Sequence, residues 1–380
     1  MEIRTLAEVA EIVSGHAWKS KDFKDDSRIG LPIIRIQNVG NHDGDYKYWE
    51  NDYDEKFLVH KGDILVSLSG SVKIDLWSGP KALLNQRIVK VMPKAGIDNE
   101  WLYWSIKSII NDIEKLAKKS IIGNISVTDF KQIKIGVPSY ARQKKIAHIL
   151  QKAQKLVTKR NEQISLLSSL KESIFLDMFG DPASNPRQWP SVKMKEIVED
   201  VDKVNLKQRN DRIAYIDISS IDNLCHEITT YKEYVAYEAP SRAKQEVRCG
   251  DILLSTVRPN LKNVAMITVD KDNLIGSSGF CVLRTNEKCH PQFLFYFVKS
   301  DYFTNQLMTI STGASYPAVK SRDILEQKMY LPPLALQKQF ASLVNKIDHK
   351  LGLFKQGLSW LEKQYHALLH RAFHGERFKG

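Results

Sequence analysis

Pro138-Ser-Tyr-Ala-Arg-Gln-Lys-Lys-Ile-Ala147 recurs as Pro332-Pro-Leu-Ala-Leu-Gln-Lys-Gln-Phe-Ala341, and the offset of 194 residues holds without a gap to Met178-Phe179 and Ala372-Phe373. The chain of 380 residues is therefore a tandem repeat, one structural unit written twice. Gly62-Asp-Ile-Leu-Val-Ser67 matches Gly250-Asp-Ile-Leu-Leu-Ser255, and Leu6-Ala-Glu-Val9 matches Met194-Lys-Glu-Ile197, both at an offset of 188. Ile34-Arg-Ile36 matches Ile216-Asp-Ile218 at 182, and Trp101-Leu-Tyr-Trp104 matches Phe293-Leu-Phe-Tyr296 at 192. The drift in offset separates two kinds of sequence. Apolar scaffold segments recur because packing constrains them, while the stretches between them change length and identity as surface loops do. Two copies of one scaffold with different loops suggest two similar devices that read different things.

Both copies read alike. Short β-rich runs come first, Ile33–Ile36, Asp63–Ser67 and Ile88–Met92, with counterparts Tyr215–Ile218, Asp251–Ser255 and Gly279–Leu283. A helix is predicted next, over Asn99–Lys119 and Pro291–Ile310, with aromatic and aliphatic residues on one face. That face assigns Trp101, Tyr103 and Trp104 to a core. Turn-prone Gly123-Asn-Ile-Ser126 and Thr312-Gly-Ala-Ser-Tyr-Pro317 then precede a last strand, which ends at Pro138 or Pro332. Proline suits the first turn of the helix that follows, where its missing N–H costs nothing.

The second of these helices carries Val344, Ile347, Leu351, Phe354, Leu358, Leu361, Tyr365, Leu368 and Ala372 at alternating spacings of three and four. The first carries Leu150, Ala153, Val157, Arg160, Ile164, Leu167, Lys171, Ile174 and Met178 at the same places, so only Arg160 and Lys171 interrupt the seam. Two heptad seams in one chain most simply bury against each other. The order of parts makes the pair antiparallel. Gly180-Asp-Pro182 stops the first helix, and Asp181–Pro190, with three prolines, is a linker. The predicted fold is α+β: similar globular modules over 1–137 and 191–331, with long helices over 138–180 and 332–380 paired as an antiparallel coiled coil. About 38 helical residues at ~1.5 Å each make a rod of roughly 57 Å, longer than the ~34 Å turn of B-DNA.

Hydrophobic residues make up 43% and charged ones 26%, a globular composition. No apolar run approaches the ~20 residues of a membrane span, and the N-terminus has no secretory pattern. Cys225, Cys249, Cys281 and Cys289 have neither zinc-site nor disulfide-framework spacing and read as reduced thiols of a cytoplasmic protein. Lys and Arg number 56 against 44 Asp and Glu, for a net charge of +12 and a pI near 9.3. Such an excess favours a polyanionic partner, because neutralising phosphates releases counterions.

The order of parts resembles the specificity subunits of type I restriction–modification systems. The resemblance is carried by Gly62–Leu65 and Gly250–Leu253, by the helix starts Pro138–Gln143 and Pro332–Gln337, and by Met178-Phe-Gly-Asp-Pro182 leading to Trp189-Pro190. It covers nearly the whole chain. One position departs from the family, where Arg142 and Leu336 stand in place of the usual acid before the glutamine. The resemblance implies a non-catalytic, bipartite reader of double-stranded DNA. Each target-recognition module takes one half of a split sequence, and the helices set the spacer. The helices also dock methyltransferase subunits, two of them, and a restriction subunit joins the complex. S-adenosylmethionine, ATP and magnesium then belong to the partners, and this chain holds no cofactor or metal.

Missing motifs agree with a reader. No G-x-x-x-x-G-K-[ST] loop and no G-x-G-x-x-G is present. Leu331-Pro-Pro-Leu334 lacks the polar first and aromatic last residues expected of an adenine methyltransferase, and no Pro-Asp nuclease signature occurs. His42-Asp43 and His226-Glu227 read as surface polar pairs, not metal ligands. Competing readings are a coiled-coil scaffold that binds proteins only, and a self-sufficient nuclease.

Base edges are read by Arg, Lys, Asn and Gln, and phosphates by Lys, Arg, Ser and Thr. In the first module the candidate DNA contacts are Lys19, Lys21, Ser69, Ser71, Lys73, Gln86 and Arg87. In the second they are Lys207, Arg209, Arg258, Asn260, Lys262, Ser315, Tyr316, Lys320 and Arg322. A solvated turn is the alternative for each. The candidates for helix pairing and partner docking are Leu150, Val157, Ile164, Leu167, Ile174, Val344, Ile347, Leu351, Leu358, Leu361 and Leu368.

Overall fold

The computed structural model describes residues 2–42, 45–69, 72–110, 113, 125–313 and 315–373. They fall into two compact units, Met1–Asn161 with Gln356–Gly380, and Glu162–Lys355. In the first unit β1 (Glu2–Thr5) and a single turn, α1 (Leu6–Val9), lead into β2 (Ala10–Ser14). There follow β3 (Leu31–Ile34), β4 (Lys47–Trp49), β5 (Leu58–Val59), β6 (Ile64–Ser67), β7 (Ile74–Leu76), β8 (Ala82–Leu84) and β9 (Ile88–Pro93). One antiparallel sheet has the order β2-β9-β6-β7; a second, β4-β3-β8-β5, has a parallel central pair. After α2 (Asn99–Ser108) and α3 (Val127–Gln132), β10 (Lys134–Val137) pairs with β1 and delivers the chain to α4 (Tyr140–Phe179).

The second unit repeats this plan with one added hairpin. It contains β11 (Ser191–Lys193), β12 (Val198–Glu199), β13 (Arg212–Ile216), β14 (Ile221–Asp222), β15 (Glu227–Ile228) and β16 (Lys232–Val235). Next come β17 (Ala243–Glu246), β18 (Ile252–Ser255), β19 (Val264–Met266), β20 (Leu274–Ser277) and β21 (Phe280–Thr285). Helices α5 (Pro291–Lys299), α6 (Asp301–Ile310) and α7 (Ser321–Leu325), β22 (Lys328–Tyr330) and α8 (Leu334–Phe373) complete it. The sheets run β12-β21-β18-β19 and β16-β13-β20-β17, again with a parallel central pair, and β11 pairs with β22. The β14–β15 hairpin is an addition, with no counterpart among the described residues of the first unit.

Two expected helices need correction. Pro291–Ile310 is not one helix, because Ser300 adopts extended geometry and its Oγ accepts from Phe303 N (3.2 Å), starting a new helix. The helix expected over Asn99–Lys119 is described as α2 to Ser108; residues 114–124, including Gly123 and Asn124 of the expected turn, lie outside the described residues.

The repeated motifs are repeated devices. Gly62 and Gly250 stand at φ 96° and 91°, where a side chain is disfavoured. The following aspartate closes the turn: Asp63 accepts from His60 N and Asp251 from Arg248 N, each at 2.9 Å. The Ile-Leu-Val and Ile-Leu-Leu runs after it are buried on both faces. Ile64 and Val66 join one core and Leu65 the other, and Ile252 and Leu254 likewise divide from Leu253. Gln143 and Gln337 are 1% and 0% exposed. Gln143 accepts from Asp98 N (2.7 Å) and donates to Pro138 O (3.0 Å); Gln337 accepts from His290 N (2.8 Å) and donates to Pro332 O (2.7 Å). Each glutamine thus fastens a long-helix start to the cap of its module's aromatic helix.

Those caps differ. Asp98 caps α2 through Trp101 N (2.9 Å), whereas His290 Nδ1 accepts from Gln292 N (3.3 Å) at the start of α5. Burial, and then the Lys338 charge, hold the His290 pKa below its usual value. The folded chain takes up this proton less readily than the unfolded chain does. The stability it contributes is therefore complete above about pH 6.5 and lost as pH falls below that. His290→Asp installs the first module's cap, whose carboxylate also suits a helix N-terminus. Melts at pH 7.5 and 5.5 are expected to show a smaller acid-induced drop in Tm for the variant. An unchanged drop removes His290 from the account.

The long helices pair antiparallel. Within the first unit Ile146, Leu150 and Val157 share a core with Leu361, Tyr365, Leu368 and Ala372. Within the second, Phe340 meets Phe175 and Phe179, with ring centroids 5.6 and 5.3 Å apart. Early residues of one helix therefore face late residues of the other. Val344 and Leu351 are buried, while Ile164, Leu167, Ile174, Ile347 and Leu358 are half-buried. The two interruptions have specific partners: Lys171 pairs with Asp348 at 2.7 Å, and a Cβ at Gly357 would come within 2.6 Å of the Arg160 guanidinium.

Candidate nucleic-acid interface

In the first unit the scaffold draws three sequence-distant loops to one edge. Leu68 N donates to Arg87 O (2.8 Å), joining the β6–β7 loop to the β8–β9 turn, and Gln86 N donates to His16 O (2.8 Å), adding the segment after β2. Trp18 fixes that segment through Nε1 to Leu84 O (3.1 Å). Lys19, Lys21, Gln86 and Arg87 are exposed, Lys73 is half-buried, and Ser69 is buried with no hydrogen-bond partner for its Oγ. Ser71 lies outside the described residues. Ion pairs here use other cations, Lys24 with Glu50, Lys47 with Asp25 and Lys56 with Asp54. Among the described residues, Lys19, Lys21, Lys73 and Arg87 make none of these ion pairs.

The second unit repeats the junction, with Thr256 N donating to Gly279 O (2.9 Å). Arg258 N to Pro317 O (2.7 Å) and Val319 N to Thr256 O (2.9 Å) add the segment after α6. This gathers Arg258, Asn260, Lys262, Ser315, Tyr316 and Lys320. The Arg258 guanidinium stacks 4.2 Å from the Tyr316 ring centroid, and Lys262 is paired with Asp301 at 2.5 Å. Arg322 sits 3.4 Å from Asp323 on α7. Of seven described non-glycine residues at positive φ, Arg87, Arg258 and Lys262 lie in these loops. Such strain persists where surrounding structure imposes it, often at functional sites.

Lys207 and Arg209 are not brought there. Arg209 forks onto Asp211 (2.9 and 2.7 Å) and reaches Asn273 (3.1 Å). Asn273 precedes β20 whereas Ser278 follows it, a separation of about 16 Å along an extended strand. The cause is a different partner: His16 in the first unit bridges to Asn85, but Lys203 bridges to Gln245 and Val204 N donates to Lys244 O (2.8 Å). Two exposed residues that do reach the junction, Ser278 and Arg242, were missed; Ser278 N donates to Arg242 O (2.7 Å). Extending the repeat at offset 192 places Ser278 opposite Gln86 and would have found it.

The two histidines lie deeper than the surface positions expected of them, while Glu227 is exposed. His42 is half-buried between Asp75 (2.5 Å) and Ser78 (2.7 Å), with Asp43 outside the described residues. His226 is half-buried in the β14–β15 hairpin, where burial and then Lys299 lower its pKa. Burial pushes the thiols of Cys281 and Cys289 up to about 11 and about 12, so both are protonated core residues, not nucleophiles. No helix among the described residues is long and apolar enough to cross a membrane.

A family model described as the type I restriction modification DNA specificity domain matches residues 1–166 and again 186–363. The type I restriction enzyme MjaVIII specificity subunit of Methanocaldococcus jannaschii is 26% identical over 331 residues, 82% of this chain and 78% of the relative. The putative type I restriction enzyme MjaX specificity subunit of the same organism is 26% identical over 393 residues, 95% and 90% of the two chains. The solved structure of a type I restriction–modification S subunit from M. genitalium aligns over 98% of this chain and 96% of its own, with a TM-score of 0.59 at 17% identity. That last likeness is one of fold. With one family match on each copy of a fold built twice, the chain belongs to the type I restriction–modification DNA specificity family, as a specificity subunit without a catalytic centre of its own.

Proposed function

We propose that the two modules, 1–137 and 191–331, each read one half of a split duplex sequence through the loops gathered at the β6–β7 and β18–β19 junctions. The long helices, over 138–180 and 332–380 with linker 181–190, fix the gap and dock two methyltransferase subunits along Leu150–Ile174 and Val344–Leu368. S-adenosylmethionine, ATP and magnesium are bound by those partners and by a restriction subunit, in the cytoplasm. One observation carries this reading. The bond from Leu68 N to Arg87 O and the bond from Thr256 N to Gly279 O are the same scaffold joint, yet the side chains hung from it differ completely. A shared joint with unshared loops suits two readers of different words. A protein-only scaffold has no need of unpaired Lys19, Lys21 and Arg87 on that edge.

Exchanging residues 191–331 for the second module of another specificity subunit tests it. Methylome sequencing of a host carrying the chimera with its methyltransferase is expected to show one half of the modified sequence changed and the other kept. Change in both halves, or in neither, overturns the modular reading.

A further inference from the structure

We propose that Leu224 is an apolar wedge with which the second module opens one base step of its bound duplex; this rests on the duplex-reading function above. Leu224 sits at the tip of the β14–β15 hairpin and is 90% exposed, more than Ile3 at 72% or any other large hydrophobic residue described as exposed. The tip is held in place. Asp222 Oδ1 accepts from Leu224 N (2.8 Å) and Cys225 N (3.3 Å), and His226 takes φ 57° to close the turn. Asn223 Nδ2 donates to Leu261 O (2.9 Å), which fastens the tip to the β18–β19 loop.

Its surroundings select the occupant. Leu261 is 40% and Tyr316 67% exposed; the Arg258 guanidinium stacks on Tyr316, and Lys262, next to Leu261 in the chain, is held by Asp301. Protein interfaces deplete lysine around their apolar centres. A duplex, by contrast, offers an apolar stack of bases edged by phosphates. Rigid aliphatic side chains that enter such a stack from a cationic rim kink it. The first module's gathered loops present no comparable exposed aliphatic among the described residues, so the distortion belongs to one half-site only.

The test uses the assembled methyltransferase complex and a duplex carrying its methylome-defined target, with 2-aminopurine placed in turn at adenines of the half read by the second module, the methylated adenine excepted because the methyltransferase extrudes that base itself. Wild-type complex is expected to raise fluorescence several-fold at one step. Leu224→Ala is expected to abolish the rise and weaken binding about tenfold, roughly the loss for one apolar side chain, while Leu224→Phe keeps the rise. Three outcomes overturn the wedge: no rise with wild type, an unchanged rise and affinity with Leu224→Ala, or failure of Leu224→Ala to assemble with the methyltransferase. That last result assigns the tip to a protein contact. Failure of the wild-type complex to bind or methylate any duplex would instead overturn the parent reading.

Discussion

Gln143→Leu is expected to destabilise the chain by about 3 kcal/mol, and Gln337→Leu by about 2 kcal/mol. Both side chains are buried, and each answers a backbone N–H at the start of its module's helix while donating to the proline carbonyl that opens the long helix. Gln143 makes one bond more, to Gly96 O at 3.2 Å. Leucine fills the space but leaves the Asp98 or His290 N–H buried and unanswered, and each such group costs about 1–3 kcal/mol. Urea unfolding reads the effect as a lower midpoint at unchanged slope. Exposed Lys144→Ala, one residue on, is expected to stay within about 0.5 kcal/mol. A Gln143→Leu midpoint equal to wild type would show that the helix start is held by apolar packing alone. The same reasoning explains why Arg142 and Leu336 can occupy the position before the glutamine. The tie is made by the amide, which supplies both a donor and an acceptor, and neither bond uses the residue before it.

Scaffold and loops were unequally legible in the sequence. The repeat exposed the scaffold strands and the recurring glutamine because those residues face inward, where packing fixes both identity and spacing; the sheet order and the glutamine's tie to the helix cap came only from the structure. Arg160 and Lys171 stood in the seam as interruptions, since Gly357 and Asp348, which receive them, lie nearly two hundred residues away in the chain. Ser300 was invisible within an unbroken aromatic pattern; its hydroxyl ends one helix and starts another without disturbing the apolar face. Lys207 and Arg209 matched the composition of a reading loop, but composition does not say along which strand a loop runs. Leu224 escaped for the opposite reason. A search for polar readers passes over an aliphatic residue, and only its exposure on a tip fastened to the β18–β19 loop makes it a candidate.

Deleting one heptad from the middle of each long helix, residues 159–165 and 352–358, is expected to move methylation to sites whose halves are unchanged but whose gap is about three base pairs shorter. Seven residues at ~1.5 Å remove about 10 Å of rod, and duplex rises ~3.4 Å per base pair. A heptad keeps the seam in phase, so the variant should still pair its helices. DNA does not share that phase. Three base pairs out of ~10.5 per turn rotate one half-site by roughly 100° against the other, a mismatch that duplex twist and bending must absorb. The shifted sites are therefore expected to be methylated much more slowly than the original ones were. Deleting the heptad from α4 alone is a harsher change. It takes Arg160 from Gly357 and shifts Lys171 out of register with Asp348, and it is expected to abolish methylation. Should the double deletion leave the gap as it was, the spacing would reside in the methyltransferase subunits and not in this chain.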